Sequence, residues 1–247
     1  MQWRERNGVR WLAAELPGAT AAFSSRLGGT SSGPFATLNL GLRTGDQPAA
    51  VVANRTALAR AVGRDPAGVL IGAQVHEAKV LQRDASPRPN PWTASDADAA
   101  PPSDGQATVA ANLTPAVLVA DCLPIALIGA GGVAMLHCGW RGLAAGIVER
   151  GVSAVAAASA AIGPGIGPCC YEVGDRVRDA FAPLGDGIAA GPMLDLPEVA
   201  RRLLGRAGVQ RVESAALCTS CEPELFFSHR RDGARTGRQA GLVWADA

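Results

Sequence analysis

The stretch LPIALIGAGGVAML, residues 123 to 136, constrains the fold of this chain more than any other. Two apolar runs flank GAGG, and glycine supplies the backbone angles that tight hairpin turns need, so a β-hairpin is predicted. The stretch is shorter than the roughly 20 residues of a membrane span, and Pro124 and the glycines interrupt it, so both strands are expected to be buried in a sheet. A turn symmetric about the bond between Gly129 and Ala130 sets Cys122 opposite His137 on one face, with Cα atoms roughly 4.5 to 5.5 Å apart. A loop of odd length would shift that pairing by one.

The chain has only three histidines, and one stands at the exit of this hairpin in HCGWRGLAAGIVERG. A thiol facing an imidazole there admits three readings: two buried core residues, a cysteine nucleophile with a histidine base, or part of a metal site. The third reading needs another ligand, and His76 in QVHEA is the one histidine left outside the C-terminal region. Two histidines and one cysteine leave a fourth tetrahedral position open, the pattern of catalytic rather than structural zinc. Beyond His137, Arg141 between two glycines opens a predicted helix over about 143 to 158, whose free N–H groups and arginine fork suit an anion.

Elsewhere, strands are predicted at 9–15, 19–25, 115–120, 123–128, 133–137, 211–217 and 238–244. Helices are predicted at 46–62, 173–182 and 196–207. A long Gly, Ser and Thr loop follows residue 24, and His76 falls at a strand end or tight bend. Residues 84–105, rich in Pro, Ala, Ser and Asp with almost nothing to bury, read as a surface loop. With 48% hydrophobic residues and a net charge of +1, a nucleic-acid or membrane partner is not expected, and a small molecule is. MQWRERNGVRW lacks the apolar run of a secretory signal, so a cytoplasmic chain is expected, with its six cysteines as thiols, ligands or buried small residues.

Several stretches together carry a resemblance: FSSRLGGTSSGPFATLNLGLRTGD, NR at 54–55, QVH at 74–76, DGQAT at 104–108, ADCLP at 120–124, HCGWRG at 137–142, IGPGIGPCCYEVG at 162–174, then CTSCEPELFFSHRRDG and TGRQA. The chain resembles the YfiH, or laccase-domain, family of so-called polyphenol oxidases, nearly end to end. The resemblance implies one α+β domain over 1–247, with mixed β-sheets flanked by helices, in a fold shared with deamidating bacterial toxins. It implies zinc, or copper in its place, on His76, Cys122 and His137, the three residues the hairpin had already singled out. It also implies phosphorolysis of adenosine, inosine, guanosine and methylthioadenosine, with adenosine deamination as a second reaction. The partners are then a purine nucleoside and phosphate; the oligomeric state is left open. Arg26, Arg141 and Arg43 are the expected anion holders, and Asp104 and Asp121 are expected to orient a ligand or handle a proton. The GAGG turn and the segment ending SAVAAASAA are shorter than in family members of this type, which bears on the local loop and an oligomer contact.

Other readings stay open beside this one. Three histidines are too few for a blue-copper centre with a trinuclear cluster, but a single copper with weak oxidase activity fits the same ligands. A cysteine hydrolase using Cys122 and His137, including one that edits peptidoglycan precursors, differs by its indifference to metal, and a non-catalytic zinc-binding partner protein by its lack of turnover. The CTSC motif at 218–221 would need Cys169 with Cys170, or His229, to complete a zinc site. Adjacent cysteines chelate poorly, so these cysteines are expected to pack.

Overall fold

The computed structural model describes residues 1–96 and 100–246. In chain order the strands are β1 Gln2–Arg6, β2 Val9–Leu16, β3 Ala19–Ser24, β4 Val69–Leu70, β5 Val80–Gln82, β6 Gly105–Thr108, β7 Thr114–Val119, β8 Leu123–Gly129, β9 Gly132–Cys138, β10 Ala157–Ile162, β11 Ala189–Ala190, β12 Met193–Leu194, β13 Arg211–Ser214 and β14 Gln239–Ala245. The helices are α1 Pro48–Ala61, α2 Trp140–Ala144, α3 Ile147–Val155, α4 Asp175–Phe181, α5 Leu196–Arg206 and α6 His229–Asp232.

Two six-stranded mixed sheets, ordered β1-β2-β3-β14-β7-β4 and β13-β10-β8-β9-β6-β5, make this an α+β fold. Side-chain alternation explains how the sheets stack. Along β9, Val133 and Met135 join Leu12, Phe23, Val119 and Val243 of the first sheet in one core, while Ala134, Leu136 and Cys138 face α3 and α5 in another. On the far side of the first sheet, Trp11, Ala13 and Leu242 pack with Leu58 and Ala59 of α1. The layers therefore run helix, sheet, sheet, helix, and the central strands are apolar on both faces because both faces are covered. The sheets approach so closely at Gly241 that a Cβ there would lie 2.7 Å from Pro124.

The hairpin is present, with its register moved by two from the expected one. Gly129 pairs with Gly132 and Pro124, not Cys122, stands opposite His137. The glycines explain the shift. A Cβ on Gly129 would meet the Ala156 carbonyl oxygen at 2.1 Å, and one on Gly132, at φ +111°, would meet that of Thr108 at 2.1 Å. Both are thus paired strand positions, which leaves Ala130 and Gly131 as the turn. An even shift preserves the face, so Cys122 becomes the diagonal neighbour of His137.

Three further expectations change. The helix predicted over 143–158 divides into α2 and α3 at Gly146, φ +86°, and ends at Ala156, φ +48°, after which the alanine-rich segment forms β10. β10 pairs with β8 and β13, and its Ala160 and Ala161 pack into the cores on opposite faces. The strand β1 also went unpredicted. In the predicted surface loop 84–105, of which 97–99 lie outside the described residues, Trp92 is fully buried, with its indole donating to the Arg55 carbonyl at 3.2 Å.

Candidate metal centre

His137 and Cys122 occupy the last inward-facing positions of the central hairpin, where the layer between the sheets opens towards a cavity. His137 is 4% exposed, and its Nδ1 lies 2.7 Å from Asp104 Oδ1, which leaves Nε2 for Cys122. Asp104, fully buried just before β6, also accepts the amides of Val75, His76 and Glu77 at 3.1, 2.9 and 2.9 Å. Three amides drawn to one carboxylate hold the chain in a tight bend, with His76 at φ +63°, a backbone angle that few residues other than glycine adopt. Cys122 is turned in from the other side by Asp121, at φ +91°, whose carboxylate accepts the Thr219 hydroxyl and the Arg230 amide at 2.7 Å each.

One donor atom each from His76, Cys122 and His137 lies within 4.8 Å of the others. Ligands of a tetrahedral zinc stand roughly 3.3 to 3.8 Å apart, so a small inward movement completes the set. The histidine rings meet edge to face, with centroids 4.8 Å apart. Gly139 leaves the space they share: a Cβ there would sit 2.9 Å from Cys122 Sγ and 3.4 Å from His76 Cδ2. The donor set, the carboxylate behind one histidine and this side-chain-free cradle all suit a borderline metal such as zinc, and copper suits the same donors.

The electrostatics follow from the geometry. Burial opposes ionisation of Cys122, but the charge and hydrogen bond of His137, with His76 adding to them, bring the thiol down to about 6. Burial likewise opposes protonation of His137, yet Cys122 and Asp104 raise it to about 9. Burial would raise Asp104, and the hydrogen bonds from His137 and the 75–77 amides outweigh it and hold the carboxyl below its ordinary value. Cys138, one residue on and facing the helices, is pushed well above the usual thiol range by burial.

His76, Cys122 and His137 line a cavity of about 470 Å³, together with Arg43, Asp121, Tyr171, His229, Arg230 and Arg238. Arg238 is drawn electrostatically to Asp121 and Cys122, although burial lowers its pKa. Arg230 stacks on the Tyr171 ring at 5.4 Å. Burial first, then the Cys122 charge, push the Tyr171 phenol up to about 12, so it remains a hydrogen-bond donor.

The structure brings together His76, Cys122, His137, Asp104, Asp121 and Arg43. It places Arg26 and Arg141 outside the cavity lining. Arg26 donates to the carbonyls of Ala36 and Pro223 and lies over Phe227, while Arg141 is exposed over Trp140. Arg230, Arg238 and Tyr171 were not singled out from sequence. Each sits inside a stretch quoted above, and Tyr171 is the only tyrosine of the chain, the one available cue.

The family model described as multi-copper polyphenol oxidoreductase laccase matches residues 20–246. Purine nucleoside phosphorylase YlmD of Geobacillus stearothermophilus is 39% identical over 264 residues, covering 98% of this chain and 96% of that protein. Its crystal structure matches with a TM-score of 0.88 over 99% of this chain and 98% of that chain, at 37% identity. Purine nucleoside phosphorylase YfiH of Escherichia coli K12 is 38% identical over 241 residues, covering 92% of this chain and 94% of that protein.

Proposed function

The chain belongs to the multi-copper polyphenol oxidoreductase laccase family, and from that membership we propose that it is a zinc-dependent purine nucleoside phosphorylase. The observation that carries this reading is the convergence of His76, Cys122 and His137 on the wall of a cavity that also holds Arg43, Arg230 and Arg238. Relatives at 38 to 39% identity carry the name purine nucleoside phosphorylase, which supports the substrate class.

Phosphorolysis moves the ribose C1′ from the purine N9 to a phosphate oxygen. The C1′–N9 bond breaks as the new C1′–O bond forms, and the base leaves with the electron pair and gains a proton. Zinc on the two histidines and the cysteine would supply a Lewis-acidic position for phosphate or water. Asp104 fixes the His137 ring and the His76 bend, so neither ligand needs to reorganise as charge develops. Arg43, Arg230 and Arg238 hold the phosphate, in place of the Arg26 and Arg141 expected from sequence. The Tyr171 phenol, kept neutral far beyond neutral pH, offers a hydrogen bond to the leaving base, which takes its proton from water. Adenosine, inosine, guanosine and methylthioadenosine are the proposed substrates. Adenosine deamination is the proposed second activity: water in place of phosphate adds at the purine C6, the C6–N6 bond breaks, and ammonia leaves as inosine forms.

Cys122, His137 and Asp104 also form the line of thiol, imidazole and carboxylate that a cysteine hydrolase uses. Incubation of metal-quantified protein with adenosine, with and without phosphate, separates the two by chromatography. Adenine with ribose 1-phosphate, formed only when phosphate is present and lost on chelation, is the expected result. Unchanged adenosine in both tubes overturns the phosphorylase reading.

A further inference from the structure

Four of the six cysteines lie in two short turns, Cys169 and Cys170 after β10 and Cys218 and Cys221 after β13. They do not simply pack, as their sequence spacing suggests. One sulfur from each lies within 4.8 Å of the others, with Cys221 Sγ 3.3 Å from Cys169 Sγ and 3.4 Å from Cys170 Sγ. A disulfide would bring one pair to about 2.05 Å, whereas Cys221 stands almost equally close to two partners. All four are free thiols.

The backbone around Cys218 favours its thiolate. Gly167 donates its amide to Cys218 Sγ at 3.3 Å, and the amides of Ser220 and Cys221 also bond to Cys218. The Cys170 and Tyr171 amides fold back onto the Gly167 carbonyl at 3.0 and 3.1 Å. That turn lets two consecutive cysteines reach the same point, the geometry that adjacency in sequence argues against.

We propose that Cys169, Cys170, Cys218 and Cys221 bind a second zinc ion in a closed tetrathiolate site. Four thiolates in a tetrahedral set select zinc or another soft cation, and with no open position the role is structural. The site lies outside the catalytic cavity but ties down two of its walls. Cys170 precedes Tyr171, and Cys218 precedes Thr219, whose hydroxyl holds Asp121 beside Cys122. The Arg231 guanidinium binds the Thr219 and Ser220 carbonyls, while its neighbour Arg230 donates its amide to Asp121. The second zinc is thus a clasp between the 163–171 and 217–231 loops, and its existence does not depend on the phosphorylase reading.

The test is the zinc content of protein purified under reducing conditions, measured for wild type, His137→Ala and the double variant Cys169→Ser/Cys221→Ser. One equivalent fewer in the double variant than in wild type is expected, with cobalt-thiolate charge-transfer absorption that persists in His137→Ala but falls in the double variant to the weaker band of the single Cys122 thiolate. Equal zinc in wild type and a folded double variant overturns the proposal. A second measurement on wild type covers failure to fold: native alkylation with iodoacetamide, mapped by mass spectrometry, should spare these four cysteines until a chelator is added. Alkylation that ignores the chelator, or a protein mass short of two or four hydrogens from disulfides at these cysteines, overturns it as well.

Discussion

Asp104 Oδ1 lies 2.7 Å from Nδ1 of His137 and 2.9 Å from the backbone nitrogen of His76, so one buried oxygen positions two histidines from different parts of the chain. The other oxygen takes the amides on either side of His76. Asp104→Asn keeps the shape but replaces one acceptor with a donor and removes the charge behind His137. Metal affinity should fall by about 10- to 100-fold, in line with other carboxylates behind a ligating histidine. Competition with a chromogenic chelator measures it, and unchanged affinity would mean that Asp104 only shapes the bend.

Gly139 offers a separate steric test. Its backbone, at φ −81°, is open to any residue, yet a Cβ would crowd Cys122 Sγ and His76 Cδ2. Gly139→Ala should therefore lower metal occupancy while leaving the apo-protein melting temperature within a few degrees of wild type. Full occupancy in the variant would show that the cradle is not used.

The ion pair of Cys122 with His137 has a pH signature in metal-free protein. Iodoacetamide should alkylate Cys122 with a midpoint near pH 6 in wild type and at a clearly higher pH in His137→Ala. The signs differ for the two partners. The lowered thiol contributes stability that is full above its unfolded value and lost as pH falls through about 6, whereas the raised His137 contributes below its unfolded value and loses it as pH rises through about 9. A Cys122 midpoint near the ordinary thiol value would contradict the pairing.

For the anion site, Arg238→Gln should raise KM for phosphate about tenfold or more, the range of one lost charge-assisted hydrogen bond, with little change in KM for the nucleoside. Steady-state kinetics with each substrate varied in turn gives the split. Equal rises for both would assign Arg238 to general shape.

Trp92 connects stability to what the sequence hides. It is fully buried under α1, against the guanidinium of Arg55, whose Nη1 donates to the Pro91 carbonyl at 3.0 Å. Trp92→Ala should cost about 3 to 5 kcal/mol, read from urea denaturation of the metal-loaded protein. A cost near zero would mean that the loop is not anchored there.

That tryptophan also marks the limit of composition as a guide, since a loop of Pro, Ala, Ser and Asp still carries one deep anchor. The long apolar runs of β8 and β9 and the 3.6-residue period of α5 were legible because burial imposes those patterns directly, whereas α1, which buries Asn54 and Arg55, was legible mainly from the proline in its first turn. The face shared by Cys122 and His137 was legible too, because it survives an even register shift; the register itself depended on which glycines meet the neighbouring backbone. The helix-to-strand change at Ala156 was hidden because alanine favours a helix by itself, and the position between β8 and β13 overrides that preference. The clustering of four cysteines was hidden because the two turns that carry them are about 50 residues apart and meet only in the folded chain.

The most direct measurement pairs metal content with phosphate-dependent adenine release in wild type and His137→Ala. His137→Ala should retain one equivalent of metal fewer than wild type and lose phosphorolysis of adenosine by several orders of magnitude, while circular dichroism stays native. Equal metal content with an equal rate of adenine release would contradict the assignment of His76, Cys122 and His137 as one catalytic centre.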